Sequence, residues 1–159
     1  MKILFAISTF YEHFSQEMVE NAISFFTKET INITHFIKQN YTKTQLTQEI
    51  ELTTITTKGS LELPQIISFA LEKTKYEGIC VFGVIKKGKT THDYFVASEA
   101  HSGINQLALK YNIPITTAII NSESEELIKQ RTSKEGFNVG FQAAKTCFEL
   151  IKLKELINK

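Results

Sequence analysis

The stretch GICVFGVI, residues 78–85, decides the fold class of this chain. It is an unbroken run of apolar residues and glycine, a pattern typical of a β-strand that is covered on both faces. Such strands belong to parallel sheets, in which helices connect successive strands. Apolar residues at helical spacing lie on both sides of the run, over residues 64–74 before it and up to Tyr111 after it. The run therefore predicts one strand of an α/β domain.

The rest of the chain continues this alternation of strand and helix. Strands are predicted at residues 2–8, 31–37, 50–56 and 113–120, and helices at residues 14–26 and about 136–156. Residues 38–48 are polar and predict a loop, whereas Ser122 and Glu125 have the spacing of a capping box at the start of one more helix. This rhythm predicts a parallel sheet with helices on both faces, in a single domain over residues 1–159.

Composition and charge exclude several classes of function. The formal net charge is +1 and the lysines are spread along the chain, so nothing favours nucleic acid or a membrane as partner. No apolar stretch reaches the ~18 residues of a membrane span and the N-terminal run is too short for a signal peptide, so we expect a cytoplasmic protein. Cys80 and Cys147 form no CxxC pair and are expected to be buried, reduced thiols. No histidine has the spacing of a metal ligand, so we expect no metal site: His13, His35, His92 and His101.

Lysines, hydroxyls and a histidine follow the strand at residues 78–85. Gly88 suits a tight turn, and Thr90 with Thr91 can cap the helix that comes next. Free N–H groups at a helix start, with lysines nearby, bind phosphate well, and His92 could move protons beside it near neutral pH. A histidine at a helix start is also often a simple capping or surface residue, so the local pattern leaves both interpretations open. In α/β sheets ligands bind beyond the carboxyl ends of the strands.

Four segments resemble the lumazine synthase family, in the expected order and over nearly the whole chain. Residues 83–96 are similar to the family's G-x-x-I-R-G-x-T-x-H-x-D-x-V, with these residues in register: Gly83, Gly88, Thr90, His92 and Val96. Residues 59–64 (GSLELP) resemble P-G-(A/S)-(F/W)-E-(L/I)-P, and residues 8–11 (STFY) resemble A-R-F-N. The segment R-x(6)-N-K-G is matched by Arg131, Asn138 and Gly140. The resemblance implies a flavodoxin-like three-layer sandwich with a four-stranded parallel sheet.

The resemblance also implies an activity. Family members condense 5-amino-6-(D-ribitylamino)uracil with 3,4-dihydroxy-2-butanone 4-phosphate to give 6,7-dimethyl-8-ribityllumazine, phosphate and water, the penultimate step of riboflavin biosynthesis, without a cofactor. They assemble as pentamers or multiples of pentamers, including icosahedral capsids, with active sites between subunits. Carried over by position, His92 would be the general acid and base. The implied substrate-binding residues are Phe10 on the pyrimidine ring, Ser60, Leu61 and Glu62 on the ribityl chain, Val84, Ile85 and Lys86 at the ring edge, Lys89 and Thr90 on the phosphate, and Thr117 and Arg131 from an adjacent subunit.

This chain departs from the family pattern at several positions. Lysine replaces the arginine after the apolar strand, the aspartate lies next to the histidine and not two residues on, and the last strand lacks its aromatic residue: Lys87, Asp93 with Tyr94, and Thr117. Val139 stands where the family has the lysine of N-K-G, and we hypothesise that Lys86, Lys89 or Lys134 supplies that charge. Two alternatives stay open, an archaeal-type riboflavin synthase and a non-catalytic flavin- or lumazine-binding shell protein.

Overall fold

The computed structural model describes residues 1–28, 31 and 33–159. In chain order, its elements are β1 (Lys2–Ser8), α1 (Glu12–Phe26), α2 (Thr34–Lys38), β2 (Tyr41–Gln45), β3 (Glu51–Thr57), α3 (Leu63–Lys73), β4 (Gly78–Lys86), α4 (His92–Tyr111), β5 (Ile115–Ser122), α5 (Glu125–Thr132) and α6 (Val139–Ile157). In the described ranges, no helix combines the length and the apolar character that crossing a membrane requires.

One five-stranded sheet has the order β2-β3-β1-β4-β5. Four of its strands are parallel, with β1 between β3 and β4, so that Ala6 lies opposite both Ile55 and Val81. The fifth strand, β2, runs antiparallel to β3 at the edge. The predicted α/β class and the four parallel strands are therefore confirmed, and the count of four strands is corrected to five.

Both faces of the sheet are covered, which makes the three layers of a sandwich. Along β1, Phe5 and its odd-numbered neighbours pack in one hydrophobic cluster with Met18 of α1 and Ala144 of α6. Leu4 and Ala6 point to the other face and pack in a second cluster with side chains of α3 and α4. The side chains of β4 alternate between the same two clusters, and the strand is buried from its first residue to Ile85. As inferred from the sequence, the run at residues 78–85 is apolar because both faces of this strand are covered.

The strand predicted at residues 31–37 is wrong. Residues Thr34–Lys38 form helix α2, whose N–H groups at Phe36 and Ile37 donate to the carbonyl oxygen of Ile33 at 2.8 and 3.3 Å. Phe36 and Ile37 are adjacent and both buried, which a two-residue strand period does not allow against a single core. The beginning of the prediction falls partly on Asn32, which lies outside the described residues.

The loop predicted at residues 38–48 contains the edge strand β2. Its side chains are polar because one face and one edge meet water, but Thr42 is buried and its hydroxyl lies 2.6 Å from that of Thr54 on β3.

The residue predicted to cap α5 is wrong. Ser124, not Ser122, accepts a hydrogen bond from the Leu127 N–H at 3.2 Å and so caps α5. Ser122 accepts instead from the N–H of Ser124 at 3.1 Å.

Candidate functional site

A cavity of about 360 Å³ opens at the carboxyl ends of β1, β3 and β4. Its lining is Phe10, Tyr11, Gly59, Ser60, Leu61, Glu62, Val84, Ile85, Lys86, Gly88, Thr90, His92, Asp93 and Val96. The site residues expected in three separate segments of sequence therefore share one cavity. Lys89, Thr117 and Arg131 are the expected residues that do not line it. Tyr11 and Asp93 line it although the sequence argument assigned them no role in binding.

The floor of the cavity is formed where β4 passes closely beneath the segment that precedes α3. Ser60 is 4% exposed, and its hydroxyl has no hydrogen-bond partner among the described atoms. A Cβ atom on Gly83 would come within 2.8 Å of that hydroxyl oxygen. Glycine at position 83 is thus required by a close approach and not by an unusual backbone angle, since no glycine that the structure describes has a positive φ.

An exposed aromatic ring stands at the entrance. Phe10 lies two residues beyond the end of β1 and is 59% exposed, with its ring centroid 5.1 Å from that of Tyr11. The Lys58 ammonium lies 5.7 Å from the Phe10 centroid, and that of Lys86 lies 5.9 Å from the Tyr11 centroid. A large exposed ring beside a cavity favours a binding role over a packing role, and its free face can stack on a flat heterocycle.

His92 is the first residue of α4, and its side chain is exposed at the cavity wall. The backbone N–H of His92 donates to the Thr90 hydroxyl at 3.4 Å, whereas Thr91 at the N-cap position makes no side-chain capping bond. The positive end of the helix dipole at this point favours an anion. In the next position, the Asp93 carboxylate accepts from the Asn121 amide at 3.3 Å and so links α4 to the end of β5.

No steric crowding requires a glycine at position 88, in the loop between β4 and α4. A Cβ atom on Gly88 would meet no atom within 4 Å, and its φ is not positive. The tight turn expected from the sequence does not depend on glycine in this conformation. The site residues of this loop are held instead by the strand before it and the helix after it.

The two lysines where β4 ends are paired with carboxylates. Lys86 lies 3.1 Å from Glu125, and Lys87 lies 3.1 Å from Glu123. The hydrogen bond from Lys86 lowers the pKa of the Glu125 carboxyl below its ordinary value, and Lys129 at 3.5 Å acts in the same direction. Lys89 forms no ion pair with any residue that the structure describes. A negatively charged ligand at this end of the cavity would therefore meet lysines that are already partly neutralised.

Arg131 and Thr117 lie on the outer surface of the chain. The Arg131 guanidinium stands 5.1 Å from the ring centroid of Phe137, which is 57% exposed. Thr117 is exposed on β5 and belongs to a different depression, together with His101 and Asn105.

Over residues 1–28, 31 and 33–159, no three His, Cys, Asp or Glu side chains come together as a metal site. Cys80 and Cys147 are buried free cysteines.

Comparison with known proteins gives a family for this arrangement. The model of the family described as 6,7-dimethyl-8-ribityllumazine synthase matches residues 1–155. A curated protein of that name from Helicobacter pylori (strain G27) is 38% identical over 95 residues, which are 60% of this chain and 61% of that protein. One from Campylobacter hominis is 33% identical over 105 residues, 66% of this chain and 67% of that protein. The matched stretch thus spans about three fifths of the length of the Helicobacter relatives. A solved structure of Chlamydia trachomatis CT263 (MTAN) bound to adenine covers 96% of this chain and 98% of that chain, at 10% identity and a TM-score of 0.44. It is too distant to inform the site.

Proposed function

The chain belongs to the 6,7-dimethyl-8-ribityllumazine synthase family, and from that premise we propose that it forms 6,7-dimethyl-8-ribityllumazine. The substrates would be 5-amino-6-(D-ribitylamino)uracil and 3,4-dihydroxy-2-butanone 4-phosphate, with loss of phosphate and water. The observation that carries the proposal is the cavity in which Phe10, the 60–62 segment and His92 face one another. The family match does not favour riboflavin synthase or a non-catalytic shell protein.

The aromatic end of the cavity suits the pyrimidine substrate. Phe10 would stack on the uracil ring, since its ring is exposed at the entrance and already lies beside Tyr11. Ser60, Leu61 and Glu62 would hold the ribityl chain, which offers hydroxyl groups as both donors and acceptors. At the strand end, backbone groups of Val84, Ile85 and Lys86 would meet the polar edge of the ring. Support comes from their shared position around one cavity.

The helix start suits the phosphate substrate and the proton transfers. Thr90, Lys89 and the N–H groups at the beginning of α4 would bind the phosphate. The 5-amino group attacks the ketone and water is lost as an imine forms; phosphate is then eliminated and ring closure expels the second water. His92 would transfer protons in these steps, since imidazole both accepts and donates near neutral pH. Holding the two substrates together would supply much of the rate enhancement.

Completion of the site would require a second copy of the chain. Arg131 and Thr117 lie outside the cavity of their own chain, on exposed surface where a neighbour's cavity could receive them. Arg131 offers a planar fork for phosphate, and stacking on Phe137 would hold that fork in place. We therefore propose a homopentamer or a multiple of pentamers, an icosahedral capsid included, with residues 1–159 as one domain. A cytoplasmic location suits two free, buried cysteines.

The decisive experiment mixes both substrates with the protein and follows the fluorescence of the lumazine. Wild type should form product, and His92→Ala should lower kcat by roughly 10²-fold, the lower end of what general acid–base catalysis contributes. His35→Ala is the control, because His35 is exposed on α2, lies outside the cavity lining and hydrogen-bonds to Gln39 at 3.3 Å. Absence of product with wild type would refute the proposed reaction. Equal rates for the two alanine variants would remove His92 from the mechanism.

A further inference from the structure

The ends of β4 and β5 place two cations and two anions opposite each other beside the cavity. The strands are parallel with Lys86 opposite Ser122, and the N–H of Lys87 donates to the Ser122 carbonyl oxygen at 3.2 Å. The loops that follow therefore leave the sheet side by side. Their charged ends meet in two ion pairs, Lys86 with Glu125 and Lys87 with Glu123, each at 3.1 Å.

We propose that Glu123 and Glu125 weaken the affinity of this site for inorganic phosphate. This proposal rests on the function proposed above, in which phosphate is first part of a substrate and then a product. A carboxylate resembles a phosphate in its charge and in its hydrogen-bond acceptors. Each acid occupies an ammonium group at this end of β4: Glu125 that of Lys86, which lines the cavity, and Glu123 that of the next residue, Lys87.

The surroundings of Glu125 favour an exchange of partners over a fixed structural link. Lys86 lines the cavity, and its side chain is 30% exposed, whereas that of Glu125 is 52% exposed. Glu125 also lies 3.5 Å from Lys129 on the next turn of α5. When Lys86 turns to a phosphate, Glu125 thus keeps a cation beside it. Ion pairs this exposed are weak enough for a doubly charged ligand to displace.

The consequence matters most for the free ion, whose affinity is weak from the start. An organic phosphate gains further contacts from its carbon chain and from the second substrate, so it can displace the carboxylates. Competition by the carboxylates raises the Kd of both phosphates by the same factor, but inorganic phosphate has only its charge and its oxygen atoms to offset that loss. The two glutamates would therefore help the product to leave and limit inhibition by phosphate in the surrounding solution.

The test measures binding of inorganic phosphate by isothermal titration calorimetry at low ionic strength, where ion pairs are least screened. In the double variant Glu123→Gln with Glu125→Gln, shape is kept and both charges are removed. The Kd for phosphate should fall by roughly three- to thirtyfold, the range expected when two exposed ion pairs no longer compete. The control is Glu149→Gln, which removes a carboxylate 3.9 Å from Lys145 on α6 and should leave the Kd unchanged. Glu123→Gln alone should give an intermediate Kd.

A Kd in the double variant equal to or above that of wild type would overturn the proposal, as would the absence of phosphate binding by both proteins. Thermal melting of each variant identifies a loss of fold, and the single variant then provides the comparison. Binding is measured without turnover, so failure of the proposed reaction has a separate signature: no lumazine forms, whatever the phosphate affinity. In an active enzyme, the inhibition constant for phosphate should fall in parallel with the Kd.

Discussion

Replacement of Gly83 by alanine tests whether close packing between β4 and the cavity segment shapes the site. The new Cβ atom would lie 2.8 Å from the Ser60 hydroxyl oxygen and 3.4 Å from the Cβ of Ser8. Contacts this short must be relieved by movement, and overpacking of this kind costs about 1–3 kcal/mol. Alanine also restricts the unfolded chain, which returns about 0.4–1 kcal/mol. We therefore expect Gly83→Ala to lower the free energy of unfolding by about 1–2 kcal/mol.

That loss should depend on the Ser60 hydroxyl, which a second substitution can remove. Ser60→Ala alone should be neutral or stabilising by up to about 1 kcal/mol, because the buried hydroxyl has no partner among the described atoms. In the Ser60→Ala background, Gly83→Ala should cost almost nothing. The coupling energy between the two positions should therefore reach about 1–2 kcal/mol, well above the ~0.5 kcal/mol seen between independent sites.

Urea unfolding at fixed protein concentration measures all four members of this cycle. A loss of 1–2 kcal/mol should also lower Tm by roughly 2–8 °C for a chain of this size. Gly88→Ala is the matched control, since its Cβ would meet no atom within 4 Å. Because Ser60 lines the cavity, KM for the pyrimidine substrate should rise in Gly83→Ala. Additive effects of the two substitutions would refute the reasoning.

Three further outcomes are expected. Gly140→Ala should destabilise by about 3 kcal/mol, since its Cβ would collide with the backbone carbonyl of Met18 where α6 crosses α1, and Tm should fall by roughly 6–12 °C in calorimetry. Cys80 and Cys147 should react with Ellman's reagent only after unfolding. Burial raises the pKa of the Cys80 thiol well above its ordinary value, so this contribution to stability is complete below the ordinary value and is lost as pH rises towards the folded pKa. Arg131→Lys should raise KM for the phosphate substrate about tenfold and leave KM for the pyrimidine unchanged, because lysine keeps the charge but lacks the fork.

The sequence predicts those parts of the fold in which burial alone determines the residue pattern. Residues 78–85 are apolar on both sides because helices cover both faces of β4, and no other environment explains such a run so simply. The edge strand β2 is the opposite case. Its side chains face water on one side and its outer edge has no neighbouring strand, so its polar composition resembles that of a loop.

The error at residues 31–37 has a different origin. Thr34 and its β-branched neighbours favour a strand by intrinsic preference, but that preference is weak beside the gain from burying large side chains. Helix α2 buries Phe36 and Ile37 together in the cluster between α1 and the sheet. A pattern of seven residues does not contain the position of that cluster, which depends on distant parts of the chain.

The grouping of residues around the cavity was predictable to the extent that it lies within one chain. The parallel sheet brings residues 10, 60–62 and 84–92 to one edge, so the order of strands was enough to group them. Ion pairs between long side chains were not predictable in this way. Glu123 and Glu125 belong to a loop whose direction is set by the backbone bond from Lys87 to Ser122 and by the Ser124 cap.

Charge gives the strongest physical reason to look beyond a single chain. The charged side chains that line the cavity are Lys86, Glu62 and Asp93, besides His92, and Lys86 is already paired with a carboxylate. Uncompensated carboxylates near a phosphate dianion oppose its binding. Lys89 and the α4 helix start can offset part of this repulsion. The remaining requirement is for a fixed cation with phosphate geometry, and in the proposed oligomer Arg131 of a neighbouring copy, stacked on Phe137 at the outer surface, would supply it.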